Sequence, residues 1–259
     1  MTQDTNVLVT RHERWLEIVL DRPAKGNALT MPMLGAIGTA VDEASRDRDL
    51  RAVVLRGAGE RHFCTGGDIA AWGRLSPLDM AREWIAGGAD VLARLAALPV
   101  PVIAEINGHA IGGGLELALA ADLRLCVAGT KFGTPEVGLG MIPGWGGVGR
   151  LAEVVGPARA AHLTLLGTPI DAAEALEWGL VTAVAPDHAA LAARRTEWVD
   201  RLCGHAPVAM ALVKGLLAES RRDMRHHHAA AAAQAAATDD SREGVRAFTE
   251  KRPPQFMNR

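Results

Sequence analysis

A chain of 259 residues can bury one large core, alone or with an appendage. Hydrophobic residues make up 49% and charged residues 22%, the balance of a folded chain rather than a disordered one. The net charge of −2, with no long Lys/Arg run, gives no electrostatic case for binding nucleic acid.

Cys64, Cys126 and Cys203 are far apart and form no CxxC pair, which argues against both a disulfide scaffold and a zinc cluster. Met1–Arg14 is polar and lacks an apolar signal core, and no run of about 18 uncharged apolar residues follows. No membrane association is therefore expected, and the expected location is the cytoplasm.

In chain order, Val7–Val9 and Trp15–Leu20 predict two short strands around a polar turn. Asp21–Asn27 carries Pro23 and Gly26 and reads as a loop. Thr30 is a cap for a helix running to about Arg46, with Pro32 in its first turn. Ala52–Arg56 predicts a buried strand and Gly57–His62 a loop. The rhythm recurs with a strand over Val100–Ile106, a helix over Gly112–Ala120 and a strand over Asp122–Val127. Short apolar strands alternating with helices indicate an α/β fold.

Beyond about Pro186 the strand signals stop. Asp187–Gly204, Pro207–Ser220 and most of Arg222–Lys251 read as helical, so the expected division is an α/β core over 1–186 and a helical region over 187–259. The Ala-rich run Ala229–Ala237 has high helix propensity but little side-chain area to bury, which suggests packing against another subunit. His226, His227 and His228 would point about 100° apart on a helix and cannot jointly hold one ion. They are expected to be a solvated run, and no metal is expected.

Two glycine-rich segments follow apolar strands: Phe63-Cys64-Thr65-Gly66-Gly67-Asp68-Ile69, and Asn107–Glu116 with Gly112, Gly113 and Gly114. Glycine lets a backbone approach a ligand closely. In the second segment the glycines also open a helix, where unpaired amides and the positive dipole end coincide. Two such amides could form an oxyanion hole; two tight turns without a ligand would look the same. Two carboxylates add to this. Glu116 lies in the first turn of the glycine-led helix, and Glu136 lies in the apolar, Pro/Gly-rich stretch Lys131–Gly140. A carboxylate among apolar neighbours has a raised pKa suited to proton transfer, although a dipole-complementing charge and a loop ion pair are the plainer roles.

Together these motifs resemble the enoyl-CoA hydratase/isomerase (crotonase) family over nearly the whole chain. Asp21–Leu29 is similar to its first CoA-binding loop, Phe63–Ile69 and Asn107–Leu117 to its oxyanion segments. Phe132–Glu136, with Met141–Gly144 behind it, resembles its second acidic motif, and Ser241–Pro253 its C-terminal signature. The resemblance implies a spiral of ββα turns with a helical C-terminal trimerisation region, assembled as a trimer or hexamer. It implies that the amides of Gly67 and Gly113 bind a thioester oxygen and that Glu116 and Glu136 are the catalytic carboxylates. Ala24, Lys25, Gly26, Thr65, Asp68 and Ile69 would line coenzyme A, which enters as part of the substrate, with no permanently bound cofactor. Phe248 and Lys251 would reach a CoA site, that of this chain or of a neighbour.

Two features depart from the family's pattern. Trp145 stands where hydratases often carry a small residue, and Val148-Gly149 stands where they often carry Thr-Gln. An indole behind Glu136 would narrow the acyl pocket, unless it points into the core. Gly144–Gly149 is also a literal GxGxxG, but a dinucleotide site needs a strand just before it, and Gly138–Pro143 is too rich in Gly and Pro. A non-catalytic CoA-binding protein would be expected to lack one of the two glutamates. Within the family, hydration benefits from two carboxylates, so a hydratase-type lyase is expected ahead of an isomerase, a C–C hydrolase or a decarboxylase.

Overall fold

The computed structural model describes residues 5–218 and 238–259. Residues 226–228 and 229–237, and the side chain of Phe248, lie outside what is described.

A six-stranded sheet has the order β1 (Val7–Arg11), β2 (Trp15–Leu20), β3 (Ala52–Gly57), β5 (Val102–Ile106), β7 (Leu123–Val127), β10 (Ala183–Ala185). Only β1 pairs antiparallel with its neighbour. A second, four-stranded sheet has the order β4 (His62–Cys64), β6 (His109–Ile111), β8 (Lys131–Gly133), β9 (Ile170–Asp171), with β9 antiparallel.

The helices are α1 (Met31–Arg46), α2 (Ile69–Trp72), α3 (Pro77–Asp79), α4 (Ala86–Ala96), α5 (Gly113–Leu119), α6 (Gly147–Val155), α7 (Pro157–Leu166), α8 (Ala172–Glu177), α9 (His188–Cys203), α10 (Pro207–Ala218) and α11 (Asp239–Glu250). A π-helical stretch, Met80–Ile85, joins α3 to α4.

The chain climbs as a spiral. Each turn lays one strand in the large sheet and the next in the small one, then adds a helix: β3–β4–α2, β5–β6–α5, β7–β8–α6. This is the ββα spiral that the family resemblance implies. The long apolar strands have the predicted places. Val102, Ile103, Ala104 and Ile106 of β5 are fully buried, as a parallel strand covered on both faces requires. The core packs α1, α4 and α5 against the sheets through Ile18, Leu20, Ile37, Leu55, Leu92 and Leu115.

Thr30 caps α1, with Oγ1 accepting from the Met33 amide. Among the described residues no strand follows β10, and no helix is long and apolar enough to cross a membrane.

Candidate active site

Three strands of the small sheet run parallel, and the chain leaves each C-terminal end toward the same place: β4 into Gly66-Gly67, β6 into Gly112-Gly113, β8 into Glu136. Ligands of such sheets bind beyond these strand ends. The small sheet thus places all four proposed catalytic positions from strands of only three residues.

The two glycine segments touch. A Cβ on Gly66, whose φ is +98°, would lie 3.2 Å from the Gly113 nitrogen. Gly112 has φ +56° and donates its amide to the Gly133 carbonyl (2.8 Å), which pins the start of α5 to the end of β8. A side chain at Gly112 would put a Cβ 2.9 Å from Glu136 Oε1.

The Gly67 amide is free for a geometric reason. Leu29 donates to the Gly66 carbonyl and accepts from the Asp68 amide, both at 2.8 Å, so the intervening Gly67 N–H faces away from that pairing. Gly113 is the first residue of α5, and its N–H has no intrahelical acceptor. Neither amide has a backbone partner among the described residues.

Glu116 is 2% exposed. Its Oε1 accepts from the Trp145 and Gly147 amides, both at 2.8 Å. Burial pushes its pKa up, and the amides of Gly147 and Trp145 pull it back. The GxGxxG segment thus serves a carboxylate: irregular chain precedes it, and its amides point at Glu116, which excludes the dinucleotide alternative.

Glu136 lies in the 3₁₀ turn Pro135–Leu139. Burial, with the charge of Glu116 adding to it, pushes its carboxyl up to about 7. Its Oε2 is buried and has no hydrogen-bond partner among the described residues. The two carboxylates and both glycines line one cavity of about 50 Å³, closed by Trp72, Trp84, Ile85, Met141, Ile142 and Trp145.

Trp145 is both wall and core. It is 3% exposed, its Nε1 donates to the Trp84 carbonyl (3.0 Å), and the two indoles tilt against each other at 5.3 Å. Its ring edge abuts Gly113, where a Cβ would come within 2.5 Å of Cζ3. Trp84 abuts Gly67 in the same way, at 2.4 Å from Cζ2. Sequence reasoning missed Trp72, Trp84 and Ile85. The signal available was an isolated Trp84 beside Gly87-Gly88, with Trp72 twelve residues before it, in a chain poor in aromatics.

The loop Asp21–Leu29 lies along Thr65–Asp68. The Thr65 amide and hydroxyl both donate to the Gly26 carbonyl, at 3.0 and 3.2 Å. Buried Asn27, another residue sequence reasoning passed over, ties the loop to the next by donating to the Ala58 and His62 carbonyls. Ala24, Lys25, Gly26, Thr65, Asp68 and Ile69 are thereby brought together, and Ala24, Lys25 and Ile69 are exposed. The Asp68 carboxylate is already engaged, pairing with Arg22 at 2.5 Å and capping α2. Lys251 is exposed just past α11. The tail after it contacts Arg14 and Arg48, at the ends of β2 and α1 away from the Asp21–Leu29 loop.

Two amides, the buried Glu116 and the half-buried Glu136 meet around one small cavity on a ββα spiral. The family pattern described as enoyl-CoA hydratase/isomerase matches residues 11–259, and the chain belongs to that family, the crotonases, as a hydro-lyase-type enzyme. Carnitinyl-CoA dehydratase of Proteus mirabilis is 37% identical over 254 residues, covering 94% of this chain and 95% of that one. The protein of the same name from Salmonella arizonae is 38% identical over 258 residues, 96% and 97% of the two chains. The crystal structure of enoyl-CoA hydratase from Bacillus anthracis superposes with a TM-score of 0.93 at 32% identity, covering 98% of this chain and 100% of that one.

Proposed function

We propose that the enzyme reversibly adds water across the α,β double bond of a short acyl-CoA thioester, through an enolate. The convergence of Glu116, Glu136 and the Gly67 and Gly113 amides on one cavity carries this reading.

The thioester oxygen lies between the two amides, which stabilise the charge that develops on it. Glu116, its Oε1 fixed by two donors, takes a proton from water as the water oxygen bonds to the β-carbon. The double-bond electrons move onto the thioester oxygen. Glu136, with a pKa near 7, keeps a sizeable protonated fraction at neutral pH, and in that form delivers its proton to the α-carbon as the carbonyl re-forms. A proton passing from Glu116 to Glu136 resets the pair.

Ala24, Lys25, Gly26, Thr65, Asp68 and Ile69 are proposed to line the CoA moiety, with Lys25 meeting a phosphate as a point charge. Phe248 and Lys251 are proposed to complete the site from a neighbouring subunit of a homotrimer or hexamer, working in the cytoplasm. The indole wall argues for short, branched or flat acyl groups over long straight chains.

The test is a panel of crotonyl-, octenoyl-, cinnamoyl- and carnitinyl-CoA, followed at the enoyl-thioester absorbance. Carnitinyl-CoA is included because the relatives are named for its dehydration. Crotonyl-CoA should be hydrated faster than octenoyl-CoA, and Trp145→Ala should narrow that gap, since pockets discriminate by about 1–3 kcal/mol per methylene when space is short. Glu116→Gln should lower kcat by about 10²–10⁴. Full hydration by that variant would instead point to an isomerase that works with one carboxylate.

A further inference from the structure

We propose that Arg150 is a positioning residue for Glu116, acting through the backbone turn Trp145–Gly147. The inference rests on the two-carboxylate reading and adds a group that touches neither substrate nor reacting atoms.

The turn has two sides. Its inner amides, from Trp145 and Gly147, both donate to Glu116 Oε1 at 2.8 Å. On the other side, the Trp145 carbonyl accepts from Arg150 Nη1 at 2.9 Å. Between them Gly146 takes φ +85°, and a Cβ there would lie 3.0 Å from Arg150 Nη1. The guanidinium therefore closes the turn from behind. Gly147 itself has no room for a side chain, because a Cβ would come within 2.3 Å of Glu116 Cγ. The turn is held by Glu116 in front and Arg150 at the back.

Arg150 also sits where a cation is otherwise disfavoured. It lies in the first turn of α6, at the positive end of the helix dipole, and is partly buried. Burial holds its pKa down while the charge of Glu116 pulls it up, and the guanidinium in turn lowers that of Glu116. The charged groups facing Glu116 are Arg150 and Glu136, and Glu153 of α6 faces Arg150. A cation held on the Glu116 side only pulls that carboxyl down against its burial, while Glu136, which has no such partner beside it, is pushed up to about 7. The guanidinium thus acts on the base and not on the acid.

The experiment compares Arg150→Met and Arg150→Lys with the wild type. Arg150→Met should lower kcat for crotonyl-CoA hydration on the order of 10–100-fold, the scale of a small misplacement of a catalytic group. KM should stay within about twofold, because CoA contacts are untouched, and the acid limb of the pH–kcat profile should move to higher pH. Arg150→Lys should restore the limb but not the full kcat, since Lys keeps the charge without the planar fork. In a Glu116→Gln background, Arg150→Met should cost nothing further in kcat.

A ¹³C titration of the Glu116 carboxyl, independent of turnover, should show its pKa raised in Arg150→Met. An unmoved Glu116 titration, or an additive double variant, overturns the inference. A wild type that hydrates no substrate refutes the functional reading instead, and the carboxyl titration still decides on Arg150. If Arg150→Met fails to fold, Arg150→Lys decides, with lost kcat at an unchanged acid limb expected and wild-type kcat overturning the proposal.

Discussion

Glu136 sits where its charge is resisted, and the resistance has a measurable sign. Its carboxyl titrates near 7 in the folded protein, against 4.5 for an unperturbed glutamate. Between those values the unfolded chain has released a proton that the folded chain still holds. Stability contributed by this group is therefore full below about pH 4.5 and lost as pH rises through 7. Glutamine mimics the protonated form at every pH. Glu136→Gln should therefore melt above the wild type at pH 8, with the gap closing by pH 5, while hydration falls at both. A wild-type melting profile at pH 8 would mean that the carboxyl is solvated and unsuited to the acid role. Glu116 responds differently because two backbone amides of a separate turn stabilise its anion, whereas at Glu136 burial is opposed by its own backbone amide. In the sequence Glu136 was legible as a carboxylate in an apolar, Pro/Gly-rich stretch, and Glu116 as one in the first turn of a glycine-led helix. Their separate roles were not, because the donors that distinguish them come from a turn 29 and 31 residues away.

The elements were legible in proportion to their length. β2, α1, β5 and α9 carry enough residues for their periods to show. β4, β6 and β8 hold three residues each, too few for an alternation to register. The glycine segments were therefore visible as motifs without the sheet that aligns them. The stretch from Ile69 to Ala96 was the larger gap, and it supplies Trp72, Trp84 and Ile85 to the cavity wall. Its π-helical turn carries Trp84, and such turns are rare in α-helical runs. α4 then contributes by what it lacks. A Cβ at Gly88 would lie 2.2 Å from Trp145 Nε1, whereas one at Gly87 would meet only the flexible end of Met31, at 3.2 Å. Gly88→Ala should displace the indole, break its bond to the Trp84 carbonyl and cost about 1–3 kcal/mol, as overpacking does. Gly87→Ala should be neutral or stabilising by up to about 1 kcal/mol, the usual gain for Ala in a helix. Denaturant unfolding of the two variants, with tryptophan emission followed in parallel, checks this. Equal effects would mean that α4 does not set the position of Trp145.

At the scale of the whole molecule, α10 is an apolar element whose surface the described residues of one chain leave largely uncovered. Its sequence, PVAMALVKGLLA, is almost entirely apolar, yet Pro207 is its only buried residue. Lys214 ties one face to the core, pairing with Asp122 at 2.7 Å and donating to the Val100 carbonyl at 3.0 Å. Elsewhere on the helix Val213 is 56% and Leu217 71% exposed. An apolar face of this kind on a helix already anchored by its one charge suits contact with another copy. It lies within the C-terminal region proposed to build the trimer. Light scattering of the full-length chain should report three or six copies. Val213→Asp with Leu217→Asp should lower that mass while leaving the fold of the core, read by near-UV dichroism of its buried tryptophans, unchanged. Truncation before Ala206 removes α10 and α11 together and should give aggregates or no recoverable protein. A truncated chain that stays a stable, active single copy would show that neither helix is needed for assembly or for the site.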